Sequence, residues 1–172
     1  PKGDVLEIGF GMGYSATHIQ TYKPKSYTVI ECDPVVIEKC KEWAKNYNNV
    51  TIIQARWQDV ICTDKLKMYD EVFFDDFPND SNYLSTIEQF QCEQRINLFI
   101  DFMKMNHLKH GSKLSFYLCR GESMHNDKLW KSKYIDNGTW LYEEEIIDIK
   151  ISNIQRYHLS KTKAIVPLLI FI

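Results

Sequence analysis

No stretch of this sequence approaches the roughly 18 consecutive apolar residues that cross a bilayer, and its most apolar run, Ala164 to Ile172, is short and broken by Pro167. Neither charge sign is in surplus. Lysine and arginine number 21 against 23 aspartates and glutamates, a formal net charge of −2. No global field therefore draws in polyanionic nucleic acid or an anionic membrane. The five cysteines, Cys32, Cys40, Cys62, Cys92 and Cys119, are odd in number and form no CxxC pair. This argues against a disulfide framework and a clustered zinc site, and for reduced thiols in a cytoplasmic protein. The five histidines, His18, His107, His110, His125 and His158, are scattered without ligand spacing, so no metal is expected. Seven glycines and five prolines are too few for a collagen-like or low-complexity chain. Signal-peptide pattern and initiating methionine are also missing, and Pro1 is not expected to be the biological start.

What is present is a folding sequence of 172 residues, 44% apolar and 26% charged, which suits a single domain over residues 1–172. Asp4 to Ile8 is a short apolar run that ends in the glycine-rich Gly9 to Gly13, and helical spacing follows from Tyr14. Tyr27 to Ile30 predicts a second strand. Asp33-Pro34 then supplies a capping carboxylate and a first-turn proline for a helix to about Tyr47. Further strands are predicted at Val50 to Ile53 and Glu71 to Phe74, with a polar connection after Trp57–Val60. A helix follows from roughly Thr86 or Glu88 to Met105, with Lys109-His110-Gly111 as its exit. Lys113 to Leu118, Ile146 to Ile151 and Lys163 to Ile172 complete seven strands. Alternating strands and helices predict right-handed crossovers and a doubly wound, mostly parallel sheet of the α/β class, closed by an antiparallel terminal strand.

Ligands of such sheets bind beyond the carboxyl ends of the strands, which gathers Gly9 to Gly13, Glu31, Trp57 to Asp59 and Asp75 on one rim. Glycines at 9, 11 and 13 allow close backbone approach and a sharp entry into a helix. Their spacing is GxGxG, and Tyr14 stands where a dinucleotide fingerprint needs its last small residue, which disfavours nicotinamide and flavin. Glu31, at the end of the second strand, can accept both hydroxyls of a ribose. These features suggest a class I S-adenosylmethionine-dependent methyltransferase with a Rossmann-like sheet.

The segments VLEIGFGMG, VIECDPVVIEKCKEWA, ARWQDV, FFDDFPND and KSKY, in this order, resemble guanidinoacetate N-methyltransferase and its relatives among arginine N-methyltransferases. The resemblance covers Asp4 to about Tyr134 well and Tyr157 to Ile172 more loosely. It implies that Phe10, Gly11, Met12, Gly13, Tyr14 and Ser15 wrap the methionine end of S-adenosylmethionine and that Glu31 holds its ribose. Cys32 and Asp33 then lie beside the adenosine, and Trp57 and Gln58 surround the adenine. Asp75 faces both the sulfonium and the acceptor, and is the expected catalytic carboxylate. S-adenosylhomocysteine is the implied product, and a guanidinoacetate-like molecule or a protein arginine the implied acceptor.

Three departures accompany the resemblance. Asp76 stands where the family pattern has a small hydroxyl residue. Leu118-Cys119-Arg120 stands where the family places acceptor-contacting residues, which makes Cys119 and Arg120 candidate substrate contacts. A family segment before the glycine turn, which covers the cofactor, is expected to be lacking. That lack keeps open a second class of function, a methyltransferase fold that binds cofactor or a partner without turnover. A nucleic-acid methyltransferase is disfavoured, because Asp75-Asp76-Phe77-Pro78 has the order of that signature wrong. Plainer roles stand beside these: core packing for Trp57, capping for the Asp75-Asp76 pair, and a solvated face for Lys128, Lys131 and Lys133 around Trp130.

Overall fold

A computed structural model describes residues 3–76, 86–116, 123–148 and 163–172, with side chains described from 94 in the second segment and from 165 in the last. The chain divides into two compact units, residues 1–112 and 113–172.

In the first unit, β1 (Asp4–Ile8) pairs in parallel with β2 (Ser26–Glu31) and β4 (Tyr69–Phe74), and β2 pairs in parallel with β3 (Val50–Gln54). Side chains alternate across the sheet, so Val5, Tyr27 and Val29 point to one face. There they pack with Phe10, Ala16 and Cys40 under α1 (Tyr14–Thr21) and α2 (Pro34–Ala44). Register sets Leu6 beside Val72 and Ile8 beside Phe74 on the opposite face. Here α4 (Thr86–Asn106) and the short α3 (Trp57–Val60) cover the sheet, with Trp57, Phe74 and Phe99 in mutual ring contact at centroid distances of 4.3 to 5.7 Å. Each of these side chains, fully buried, contributes about 1.5–3 kcal/mol of transfer free energy.

In the second unit, β7 (Lys163–Phe171) pairs antiparallel with β6 (Trp140–Asp148), and with the end of β5 (Leu108–Phe116). A 3-10 turn at Met124–Asn126, the single helical turn α5 (Lys128–Trp130) and a π turn at Lys131–Ile135 lie between β5 and β6. Phe116, Trp130 and Tyr134 form the aromatic core of this unit, and the lysines at 128, 131 and 133 are exposed around it. The sheet order is β3-β2-β1-β4-β5-β7-β6, a doubly wound, mostly parallel seven-stranded sheet with β7 antiparallel to its neighbours.

Four boundaries differ from the sequence pattern. The α2 helix stops at Ala44, three residues short of Tyr47, and Lys45 to Tyr47 close it with tighter bonds to Glu42, Trp43 and Ala44. Trp57–Val60, to which the sequence pattern gives no element and which leads into the expected polar connection, forms one helical turn started by Arg56, whose guanidinium bonds Asp59 at 2.9 Å. The helix α4 exits at His107, and β5 begins at once, so Gly111 with its φ of 86° bends a strand instead of ending a helix. The β6 strand starts at Trp140, ahead of the expected Ile146, because it pairs with β7 from Phe171 onward; the consecutive Glu143, Glu144 and Glu145, which hide the alternation in the sequence, all pair with β7. Phe77, Pro78, Leu118, Cys119, Arg120, Ile151 and His158 lie outside the described residues.

Candidate active site

The rim of the first unit is built by the glycine turn. Gly9 has φ 84°, and an added Cβ would lie 2.3 Å from the Asp75 carbonyl oxygen, so β1 and β4 leave the sheet in contact only because residue 9 lacks a side chain. The Asp75 N–H in turn donates to the Ile8 carbonyl at 2.9 Å. Gly11, with φ 53°, has no atom within 4 Å of the Cβ it would carry, which leaves an open cradle at the middle of the turn. Next to it, α1 starts without any side-chain cap, so the first N–H groups of that helix have no side-chain acceptor. The α2 helix is the contrast: Asp33 Oδ1 accepts from the Val35 and Val36 N–H groups at 2.8 and 3.0 Å. Asp33 is therefore occupied as a cap.

Glu31 is buried at the end of β2 and accepts three backbone bonds. Phe10 N–H reaches Oε2 at 2.9 Å, and the Cys32 and Asp33 N–H groups reach Oε1 at 2.7 and 2.8 Å. A carboxylate offers about four lone-pair sites. Glu31 thus stitches the glycine turn to the exit of β2 and keeps one acceptor site for a ligand hydroxyl, on Oε2. Its neighbour Cys32 is exposed, and partial burial, followed by the Glu31 charge, pushes the thiol up from its ordinary value.

The other expected contacts separate into two groups. Met12, Tyr14 and Gln58 are exposed on the rim, and Ser15 is half-buried. Phe10 and Trp57 are buried at 4% exposure each, with the Phe10 ring edge-on to Trp43 and Trp57 inside the Phe74–Phe99 cluster. Trp57 is thus packed against the core rings of this unit.

The adjacent aspartates after β4 are treated differently. Asp76 Oδ2 accepts both the Trp57 indole N–H, at 2.6 Å, and an Arg95 guanidinium N–H. Asp75 is exposed, and its carboxylate makes no side-chain hydrogen bond among the described residues. Crowding by the surrounding protein, and then the Asp76 charge, push its pKa up.

Beneath the turn lies a group that the motif reading missed. Glu7 is wholly buried in β1 and accepts from the Ser15 and Tyr27 hydroxyls. Burial pushes its carboxyl up to about 7, against the two hydrogen bonds, and the Asp75 charge adds to the rise. The Tyr27 hydroxyl is also pushed up, first by burial and then by Glu7. The available signal was a single carboxylate in the otherwise apolar run Val5 to Ile8. Arg95, in the middle of α4, had no such local signal. No group of three or more metal-ligating side chains occurs among the described residues.

The sequence model of guanidinoacetate N-methyltransferase matches residues 1–167. The chain belongs to the guanidinoacetate N-methyltransferase family. Protein arginine N-methyltransferase 2 of Saccharomyces cerevisiae is 42% identical over 73 residues, 41% of this chain and 17% of that protein. The protein of the same name from Aspergillus oryzae is 32% identical over 98 residues, 55% of this chain and 23% of its own length. The chain thus spans about a fifth of these curated relatives. Among solved structures, N-methyltransferase NodS from Bradyrhizobium japonicum in complex with S-adenosyl-L-homocysteine has a TM-score of 0.62 at 15% identity, covering 98% of this chain and 78% of that one. Precorrin-6y C5,15-methyltransferase from Geobacter metallireducens gives 0.64 at 14% identity, with 98% and 80% covered. This family member has the methyltransferase fold.

Proposed function

We propose that this chain is an S-adenosylmethionine-dependent N-methyltransferase whose acceptor is a guanidino nitrogen, of a guanidinoacetate-like molecule or of a protein arginine. The observation that carries the reading is Asp75: an exposed carboxylate without a side-chain partner among the described residues, backed onto Gly9 of the glycine turn in a chain of this family. The residues fit the cofactor. The open cradle at Gly11 and the uncapped start of α1 suit the amino-acid end of S-adenosylmethionine, and the remaining Glu31 acceptor site suits one ribose hydroxyl. The exposed Met12, Tyr14 and Gln58 are the side chains left to cover it.

When bound, S-adenosylmethionine supplies an electrophilic methyl group on a sulfonium. Asp75 accepts guanidinium N–H bonds and turns one nitrogen toward that methyl group, and orientation of this kind supplies much of the rate in a direct displacement. The nitrogen must shed a proton as its lone pair is committed. A carboxylate whose pKa is raised takes up that proton more readily than an ordinary aspartate.

The test is a calorimetric titration of the chain with S-adenosylhomocysteine, followed by transfer of labelled methyl from S-adenosylmethionine to guanidinoacetate and to an arginine peptide. Saturable binding with transfer to either acceptor is the expected result. Binding without transfer to either one favours the non-catalytic, cofactor-binding alternative, and absence of binding overturns the cofactor reading.

A further inference from the structure

Two neighbouring carboxylates on a ligand rim would normally act together, as a dianionic site with shared protons. Here a third side chain separates them. Arg95 lies one helical turn before Phe99 on α4, so both point to the same face of the helix. Phe99 is anchored in the ring cluster with Trp57 and Phe74, at 5.3 and 4.3 Å. That anchor brings Arg95 to the residue two places beyond Phe74, where its guanidinium meets Asp76 Oδ2. The Trp57 indole N–H converges on the same oxygen at 2.6 Å. Asp76 is 18% exposed in its side chain and Arg95 32%, so the pair is only partly screened by water.

We propose that Arg95 is a positioning residue: by holding and neutralising Asp76 together with Trp57, it leaves Asp75 as the one of the two adjacent aspartates offered to a cationic acceptor. The proposal rests on the guanidino-acceptor reading above and deepens it. Without Arg95, the Asp76 charge would stand uncompensated beside Asp75 and push the Asp75 carboxyl up further. Asp75 would then hold its proton more tightly and accept guanidinium N–H bonds less well at a given pH. The arrangement also ties Trp57 to acceptor chemistry through Asp76, although its rings are buried in the core.

The charged groups that face Asp75 among the described residues are Glu7 of β1, Asp76 in its own segment, and Arg95 of α4 through Asp76. The experiment is a carbon-13 carboxyl NMR titration of Asp75 in the full chain, assigned with D75N and repeated in R95M, D76N and the double variant D76N/R95M. Arg95→Met is expected to raise the Asp75 midpoint by about one pH unit, and Asp76→Asn to lower it, because the like charge is exposed in one case and removed in the other. The double variant is expected to return to the parent midpoint or below it, since Asn keeps an acceptor for the Trp57 indole and no charge remains to be balanced. An Asp75 midpoint that ignores Arg95→Met, or a double variant as raised as R95M, overturns the proposal. Should R95M fold poorly, the D76N arm decides, and an unmoved midpoint there overturns it equally. Failure of the underlying reading looks different: the parent chain would transfer methyl to neither guanidinoacetate nor an arginine peptide, whatever the titrations show. In an active parent, R95M is expected to lose about tenfold in kcat/KM for the guanidino acceptor while S-adenosylhomocysteine affinity stays within about twofold, and transfer recovers in the double variant.

Discussion

Asp75 and Asp76 are neighbours in sequence, and the structure gives them opposite employment. Asp76 is spent on Trp57 and Arg95, whereas Asp75 keeps its carboxylate toward solvent with its pKa raised. Asp75→Asn preserves shape and removes the charge. It is expected to lower methyl transfer by at least about 100-fold, within the range of a lost acid–base group, and to leave S-adenosylhomocysteine affinity within a few-fold. Activity assays beside calorimetry on the same preparation check this, and an active D75N protein removes the assigned role. Glu31 makes the converse case. It holds three backbone N–H groups of two rim segments, so Glu31→Ala leaves those donors without their partner and loosens the cradle. Charge-assisted bonds contribute about 1.5–3 kcal/mol, so both thermal stability and cofactor affinity should fall, whereas D75N should change neither much. A Glu31→Ala protein with parent melting temperature and parent affinity would show that the bonds carry nothing.

At the scale of elements, the three glycines of the turn have different reasons to be glycine. At Gly9 an alanine Cβ would sit 2.3 Å from backbone of β4, which cannot yield without separating two paired strand ends, and its φ of 84° is unfavourable as well. At Gly11 only the left-handed conformation resists a side chain, a cost of about 1–2 kcal/mol, because the surrounding space is empty. Gly9→Ala should therefore unfold or strongly destabilise the chain, whereas Gly11→Ala should fold with a modestly lower melting temperature and lose S-adenosylhomocysteine binding by filling the cradle. Equal thermal losses in the two variants, or full affinity in G11A, would contradict this division. The turn itself was legible, since strand, GxGxG and helix follow one another within a few residues and depend on local propensity and spacing. So were the order and type of all seven strands. What could not be read locally was set by tertiary partners: the early start of β6 depends on β7, and the place of Arg95 on Phe99 docking against β4. Glu31 was expected to accept both hydroxyls of a ribose; three main-chain donors bond the same carboxylate, and no sequence motif announces such donors.

Across the first unit as a whole, two buried carboxylates on β1 respond to pH in opposite senses. Asp4, at the start of the strand, accepts from Lys67 and Ser26 at 2.7 Å each, with Lys25 at 3.4 Å, and its own N–H donates to Asp70, which Lys109 holds at 2.8 Å. The Lys67 bond, then the Ser26 bond, hold the Asp4 carboxyl far below its ordinary value, and Asp70 is lowered by Lys109. A depressed folded pKa contributes stability above the unfolded value near 3.8, and that stability is lost as pH falls toward the folded one. Glu7, at the other end of β1, is raised from 4.5 to about 7 by burial. Its contribution is complete below about 4.5 and is lost as pH rises through 7, because the folded state must then hold a buried anion against two hydroxyl donors alone. At 1.36 kcal/mol per unit this amounts to about 3 kcal/mol at most. On these two groups the chain should accordingly melt highest near pH 4 to 4.5 and lose stability on both sides. Glu7→Gln keeps the volume and can still bond the two hydroxyls, so it should flatten the alkaline limb and leave the acid limb in place. Lys67→Met should do the reverse, lowering the melting temperature above about pH 4 and flattening the acid limb, with the limb near neutrality left in place. Melting temperatures of the three proteins from pH 3 to 9 separate the cases. Parallel curves for the parent and E7Q would mean that Glu7 ionises in the folded chain as freely as in the unfolded one, and that its burial under the glycine turn is relieved by water.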